Sequence, residues 1–282
     1  LVSITLLAFT TDIFLETKSD DLTTGQTRGI YLTSINLAWM FSPVFSAFLL
    51  TNNEYWKIYA VSAIPLLILI ALVYHRLSNF IDPEYPQPSL LRTIKEVLAN
   101  KNLRPIYCMN FLIQFFYAWM IIYTPIYLHN HIGLDWSVIG LIFIIMLSPF
   151  VILDYPLGRL ADNKWGEKEM LIIGIFITAI ATGAITFSDT KTVWVWALML
   201  FITRIGAATI EIMSETYFFK NIEGKNANLI SGYRSMRPLA YIVAPTLATV
   251  FLAFFDIHYI FLALGLIVFS SLAFANKLKD TK

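Results

Sequence analysis

The chain has 282 residues, of which 57% are hydrophobic and only 14% charged, with a mean hydropathy of +0.67. A soluble domain carries about 25% charged residues spread over its surface. Here the charges gather between apolar blocks, which excludes a soluble globule and reads as a polytopic helical membrane protein resident in a lipid bilayer. The net charge of +1 comes from basic residues distributed by loop rather than by patch, so no nucleic-acid partner is expected; the one cysteine, Cys108, excludes an intrachain disulfide.

The first apolar run, LVSITLLAF, has no initiator Met. No basic stretch precedes it and no small-residue cleavage site follows, so it is not read as a signal peptide. It holds about 12 apolar residues where roughly 20 are needed to cross a bilayer. It is expected to be the tail of a helix that begins upstream, ending near residue 16. Full spans are predicted at 28–50, 55–75, 104–128, 136–157, 169–187, 193–219, 229–254 and 257–275. A polar link, 77–103, carries Pro83, Pro86 and Pro88 and a short amphipathic helix from Ser89. The fold class is therefore all-α and polytopic: eight full transmembrane helices plus a partial one. The link divides them into a partial N-terminal bundle, 1–76, and a C-terminal six-helix bundle, 104–282.

If the loops alternate with the 77–103 link inside, seventeen of the 20 Lys and Arg residues fall inside. Only Lys57 and Lys191 fall outside, and Arg204 lies within a span. The positive-inside rule then makes the link and the C-terminus cytoplasmic. The compact loops point to a prokaryotic plasma (inner) membrane.

The stretch 154–171 reads DYPLGRLADNKWGEKEML. It is a tight charged turn between two apolar runs, hence a helical hairpin with its turn in water. It resembles the loop of the major facilitator superfamily, G-x-L-A-D-x-x-G-[RK]-[RK], through Gly158, Leu160, Ala161, Asp162, Gly166 and Lys168. It departs in the extra Trp165 and in Asn163 and Glu167, which stand at usually basic positions. An internal repeat adds to the resemblance. Asp12-Ile-Phe-Leu-Glu16-Thr17 aligns with Glu211-Ile-Met-Ser-Glu215-Thr216 at an offset of 199 residues, Gly25 aligns with Gly224, and Pro43 with Pro245 at 202. Parallel six-helix repeats are the architecture of that superfamily. In that register the chain runs from helix four to helix twelve of an MFS-like pair of bundles, the first incomplete.

Arg204 falls near the centre of its span, where a charge costs at least about 2.5 kcal/mol on insertion scales. Glu211 and Glu215 share its helical face, with Ala207 and Ala208 between. Two readings stand: a cavity charge that binds an anionic group or couples to a proton, or an Arg–carboxylate pair that locks helices. Asp12 and Glu16 are the repeat counterparts of Glu211 and Glu215; Asp12 is either a proton-coupling carboxylate or an interfacial charge. The resemblance implies a gating role for Asp162, held at the N-terminus of the helix that begins near Thr27, Arg28 and Gly29; a solvated loop aspartate is the alternative. Asp154 is expected to be buried, with Arg237 as a possible partner. Asn110, Gln114 and Tyr117 recur on one helical face, and Asn36 has a weaker claim to face the pathway. His129 and His131 form an H-x-H, but Asp135 alone does not complete a metal site, so none is expected.

The resemblance implies secondary active transport of a small-molecule solute by alternating access; carboxylates such as Asp12 and Glu211, placed where protonation can couple to solute, make protons the expected driver. No nucleotide-binding G-x-x-x-x-G-K-[ST], no G-x-S-x-G and no H-E-x-x-H occurs, so neither enzyme activity nor a cofactor is expected. A non-transporting, receptor-like relative or inactive fragment is the alternative, and an intramembrane lipid-modifying enzyme a more distant one.

Overall fold

In a computed structural model, residues 2–18, 23–49, 55–76, 89–163, 165–222 and 226–279 are described. Every regular element among them is helical. In chain order these are α1 (Val2–Lys18), α2 (Thr24–Leu49), α3 (Trp56–Arg76), α4 (Leu90–Ala99), α5 (Leu103–Asn130), α6 (Trp136–Asn163), α7 (Glu167–Ile185), α8 (Val193–Lys220), α9 (Ala227–Leu252), α10 (Ile260–Ser270) and α11 (Leu272–Ala275). A 3-10 turn, Ile257–Tyr259, leads into α10. Pro83, Pro86, Pro88, Lys164 and Gly224 lie outside the described residues.

Among the described residues, seven helices are long and apolar enough to cross a membrane: Trp56–His75, Leu103–Asn130, Trp136–Asp162, Glu167–Ile185, Val193–Lys220, Ala227–Leu252 and Ile257–Ala275. The other predicted full span, 28–50, is α2. Its 26 residues reach roughly 39 Å at 1.5 Å per residue, against a hydrocarbon core of about 30 Å. The last span is interrupted at Ser271, where α10 gives way to the single turn of α11. Helices α3, α5, α6 and α9 each contain proline, as membrane helices tolerate when neighbours re-satisfy the freed carbonyls.

Small residues set the closest packing. Helix α8 lies between α6 and α7. At the α7–α8 crossing a Cβ on Gly174 would stand 3.0 Å from the Gly206 carbonyl oxygen, so the backbones meet through glycine, as association in lipid favours. Helix α5 pairs with α9, and both meet the end of α8 through aromatic rings. Phe218 and Tyr233 stack at 4.0 Å, with Tyr107 edge-on to both. Tyr107 donates to Leu229 O at 2.5 Å and Trp119 Nε1 to Ala244 O at 2.6 Å, so the polar tips of these rings are paired inside the core. Helix α2 packs on α6 and α8, and α1 on α9. Helix α3 touches α2 alone among the stronger contacts, and none of its spanning residues is buried within the protein. Its all-round apolar surface suits lipid contact.

Candidate functional site

Two groups of polar residues stand out, one deep between the helices and one at the end of the bundle that carries the charged hairpin.

At that end, Asp12 of α1 is fully buried and meets two guanidinium groups. Arg28 Nη1 of α2 donates to Asp12 Oδ1 at 2.8 Å. Arg234 of α9 donates to the same carboxylate through Nε at 2.6 Å and Nη2 at 2.8 Å. Arg28 also pairs with Glu16 at 3.2 Å. Arg234 turns its other edge to Glu215 of α8, through Nη1 to Oε1 and through Nη2 to Oε2 at 2.9 Å. The Phe219 ring fills the centre, with the Arg28 guanidinium 3.2 Å and that of Arg234 5.8 Å from its centroid. Three carboxylates and two guanidiniums thus tie α1, α2, α8 and α9 together. Bidentate arginine geometry suits such a buried cluster, because each planar fork serves two acids.

The charged hairpin is fastened beside it. Asp162, at the end of α6, accepts from the backbone N–H of Gln26 at 2.8 Å and of Gly25 at 3.2 Å. These are first-turn donors of α2, which have no partner within the helix and lie at its positive dipole end. The contact is two residues earlier than the 27–29 segment named from sequence. Lys220 Nζ, at the end of α8, sits 3.1 Å from Asp162 and 2.6 Å from Glu167. Glu167, the acidic departure from the usual basic loop, therefore shares a cation with Asp162. Gly166 is the residue before α7 and starts that helix from extended backbone. The extra Trp165 lies exposed in the turn, its N–H on Leu160 O at 3.2 Å. Gly158 is required by closeness: a Cβ there would collide with the Gly25 carbonyl oxygen.

Deeper, Arg204 of α8 is 1% exposed. Its Nε and Nη1 have no hydrogen-bond partner among the described residues. Its guanidinium lies 5.1 Å from the Phe116 ring centroid and 5.7 Å from that of Tyr117. Among the described residues no carboxylate pairs with it. Glu211 instead accepts from the Tyr117 hydroxyl at 3.0 Å. Asp154 of α6 is fully buried; its Oδ2 accepts from Asn36 Nδ2 at 2.8 Å, while Oδ1 has no partner among the described residues. Arg237, named from sequence as a possible partner for Asp154, is exposed and stacks near Trp39 and Tyr241, at 5.8 and 5.9 Å from their ring centroids. Asn110 donates to Tyr233 O at 2.9 Å and so joins α5 to α9, while Gln114, one turn further along α5, is half-buried. Tyr117, Glu211, Arg204 and the Asp154–Asn36 pair thus form a central polar group, and Asn110 stands apart from it.

Arg234 and Lys220 were seen in the sequence only as two more basic residues of one side. The signal for Arg234 was the demand of its neighbours: buried carboxylates at Asp12, Glu16 and Glu215 need cations, and Arg28 alone cannot serve three. The H-x-H pair is split. His129 Nδ1 bonds with Leu134 O at 2.9 Å and its ring stacks on Trp136, while His131 turns toward His258. A cavity of about 790 Å³ opens elsewhere, among Ile94, Val97, Cys108, Phe111, Met236 and Leu239 of α4, α5 and α9. None of the central polar residues lines it.

A search of curated proteins finds no match. The family model described as Major Facilitator Superfamily matches residues 106–280. That match covers well over half of the 282 residues, and with seven bilayer-length apolar helices it places this membrane protein: the chain belongs to the Major Facilitator Superfamily.

Proposed function

We propose that the protein moves a small anionic solute across the membrane by alternating access, driven by protons. The observation that carries the reading is the ion-pair cluster Asp12–Arg28–Glu16–Arg234–Glu215. It joins α1 and α2, from the first part of the chain, to α8 and α9, from the second. Salt bridges between two rocking halves are a reversible lock: each breaks and re-forms as a unit, and water entering the opened end solvates the charges. The Asp162 contact with the first turn of α2, backed by Lys220, reinforces the same end. By the distribution of basic residues this end is cytoplasmic, as is the C-terminus, in a prokaryotic inner membrane. The chain divides into a partial bundle, 1–76, a link, 77–103, and a six-helix bundle, 104–282.

Arg204 is the anion-binding group. A buried guanidinium without a carboxylate leaves its donors to a solute oxyanion, and the Phe116 and Tyr117 faces hold it in place. Asp154 and Glu211 are the proton-carrying carboxylates, because neither is tied to a guanidinium in this arrangement. Asp12 belongs to the lock.

The test is uptake of a panel of radiolabelled anions and neutral analogues into proteoliposomes with an imposed proton gradient. Accumulation of an anion that collapses with a protonophore and is lost in Arg204→Ala supports the reading. Accumulation that survives the protonophore removes proton coupling, and equal transport by Arg204→Ala removes the anion site. No uptake of any solute, with turnover of a lipid instead, would favour an enzyme.

A further inference from the structure

We propose that His131, Asp189 and His258 form a binding site for a divalent transition-metal ion of the zinc class, at the end of the helices opposite the ion-pair lock. Each comes from a different connection: His131 follows α5, Asp189 lies between α7 and α8, and His258 sits in the 3-10 turn ahead of α10. Helix α8 separates Asp189 from the lock, since Glu215 lies near its far end and its 28 residues extend roughly 42 Å. Three residues far apart in sequence bring their ligand atoms within 4.8 Å of one another.

Two imidazoles and one carboxylate are ordinary zinc donors, with metal–ligand bonds of about 2.0–2.2 Å. Donors around a tetrahedral ion at that distance stand about 3.3 Å apart, so these side chains need to close by about 1.5 Å at most. The imidazoles are already oriented. His131 stacks on Tyr127 at 4.8 Å and 20°, which fixes its plane, and the His258 ring stands at 87° to it with centroids 6.0 Å apart. Two perpendicular rings converge their nitrogens without stacking on each other. The turn bearing His258 is pinned by Asp256, which accepts the His258 N–H at 3.1 Å and adds a second carboxylate nearby. The cation in the same loop, Lys191, has its Nζ beside Gly133. His131 and Asp189 are exposed, so an ion enters from water and keeps a water molecule in its fourth position.

Bound there, the ion clips together the ends of α5, α7, α8 and α10. It acts on the stability of this set of helices and takes no part in solute binding. The test is isothermal titration of the purified chain, stripped with a chelator, with zinc chloride, followed by thermal melting with and without zinc. One ion per chain, a melting temperature that rises with zinc, and a weakening of roughly tenfold or more in His258→Ala and in Asp189→Asn support the site; outer-shell partners alone are worth about 10–100-fold. His129→Ala is the control and leaves the titration unchanged. Zinc K-edge absorption of the loaded chain is expected to show two imidazole nitrogens. Absence of saturable binding, or binding that persists in the His131→Ala/His258→Ala double variant, overturns the site. A failure here leaves the transport reading untouched, because no residue is shared.

Discussion

Arg204 buries a guanidinium with two nitrogens unpartnered, and an uncompensated buried charge costs several kcal/mol. Such a group persists where its use outweighs its cost. Arg204→Met removes the charge while keeping much of the volume, so it is expected to raise the melting temperature of the purified protein while abolishing uptake of an anionic solute. A drop in melting temperature would mark Arg204 as a structural tie. The opposite sign is expected at Asp12, whose carboxylate satisfies two guanidiniums. Asp12→Ala leaves both without that partner, and is expected to cost about 3–5 kcal/mol, the usual loss on breaking a buried pair from one side. Chemical unfolding in mild detergent measures it. Asp154, buried, and Glu211, half-buried in the same bundle, are held by neutral groups, Asn36 and Tyr117; the sequence alone did not distinguish these carboxylates from those of the lock.

Between elements, the α2–α6 crossing is the tightest junction to the first part of the chain. A Cβ on Gly25 would stand 2.6 Å from the Gly158 carbonyl oxygen and 2.8 Å from Asp162 Oδ1. Gly25→Ala is therefore expected to push α2 away from α6 and to loosen the Asp162 contact. The cost is about 1–3 kcal/mol, as for overpacking a close junction, and is measured by thermal melting against a Gly140→Ala control. Gly140 has open space around its Cβ position. Asp162→Asn keeps an acceptor for the α2 donors but drops the charge that faces Lys220, and is expected to lose less stability than Asp162→Ala. At this scale the sequence was most informative where hydrophobicity and punctuation agree. The spans 104–128, 136–157, 193–219 and 229–254 correspond to α5, α6, α8 and α9, because long apolar runs in lipid must be helical. Helix ends were less legible. Asp162 meets Gly25 and Gln26 rather than the 27–29 segment, since Thr24 begins α2 earlier than the apolar pattern signals. Contacts among distant polar residues were legible only as demands. The sequence shows that Asp12 and Glu215 need partners; only folding shows that Arg234 serves both.

Across the whole molecule, one end is fastened by five ionised side chains and a capped helix, and the deep polar group lies behind it. Glu211 is one helical turn from Glu215 along α8, on the side of Arg204. In the proposed cycle the Arg234 cluster shuts that route from the cytoplasmic side, and its release exposes the central polar residues. The direct measurement is the labelling rate of Glu211→Cys, in a Cys108→Ala background, by a membrane-impermeant thiol reagent applied to inside-out vesicles, with and without Arg234→Ala. A closed lock predicts slow labelling when Arg234 is present and labelling several-fold faster when it is replaced. Equal rates in the two proteins would contradict a gate at this end.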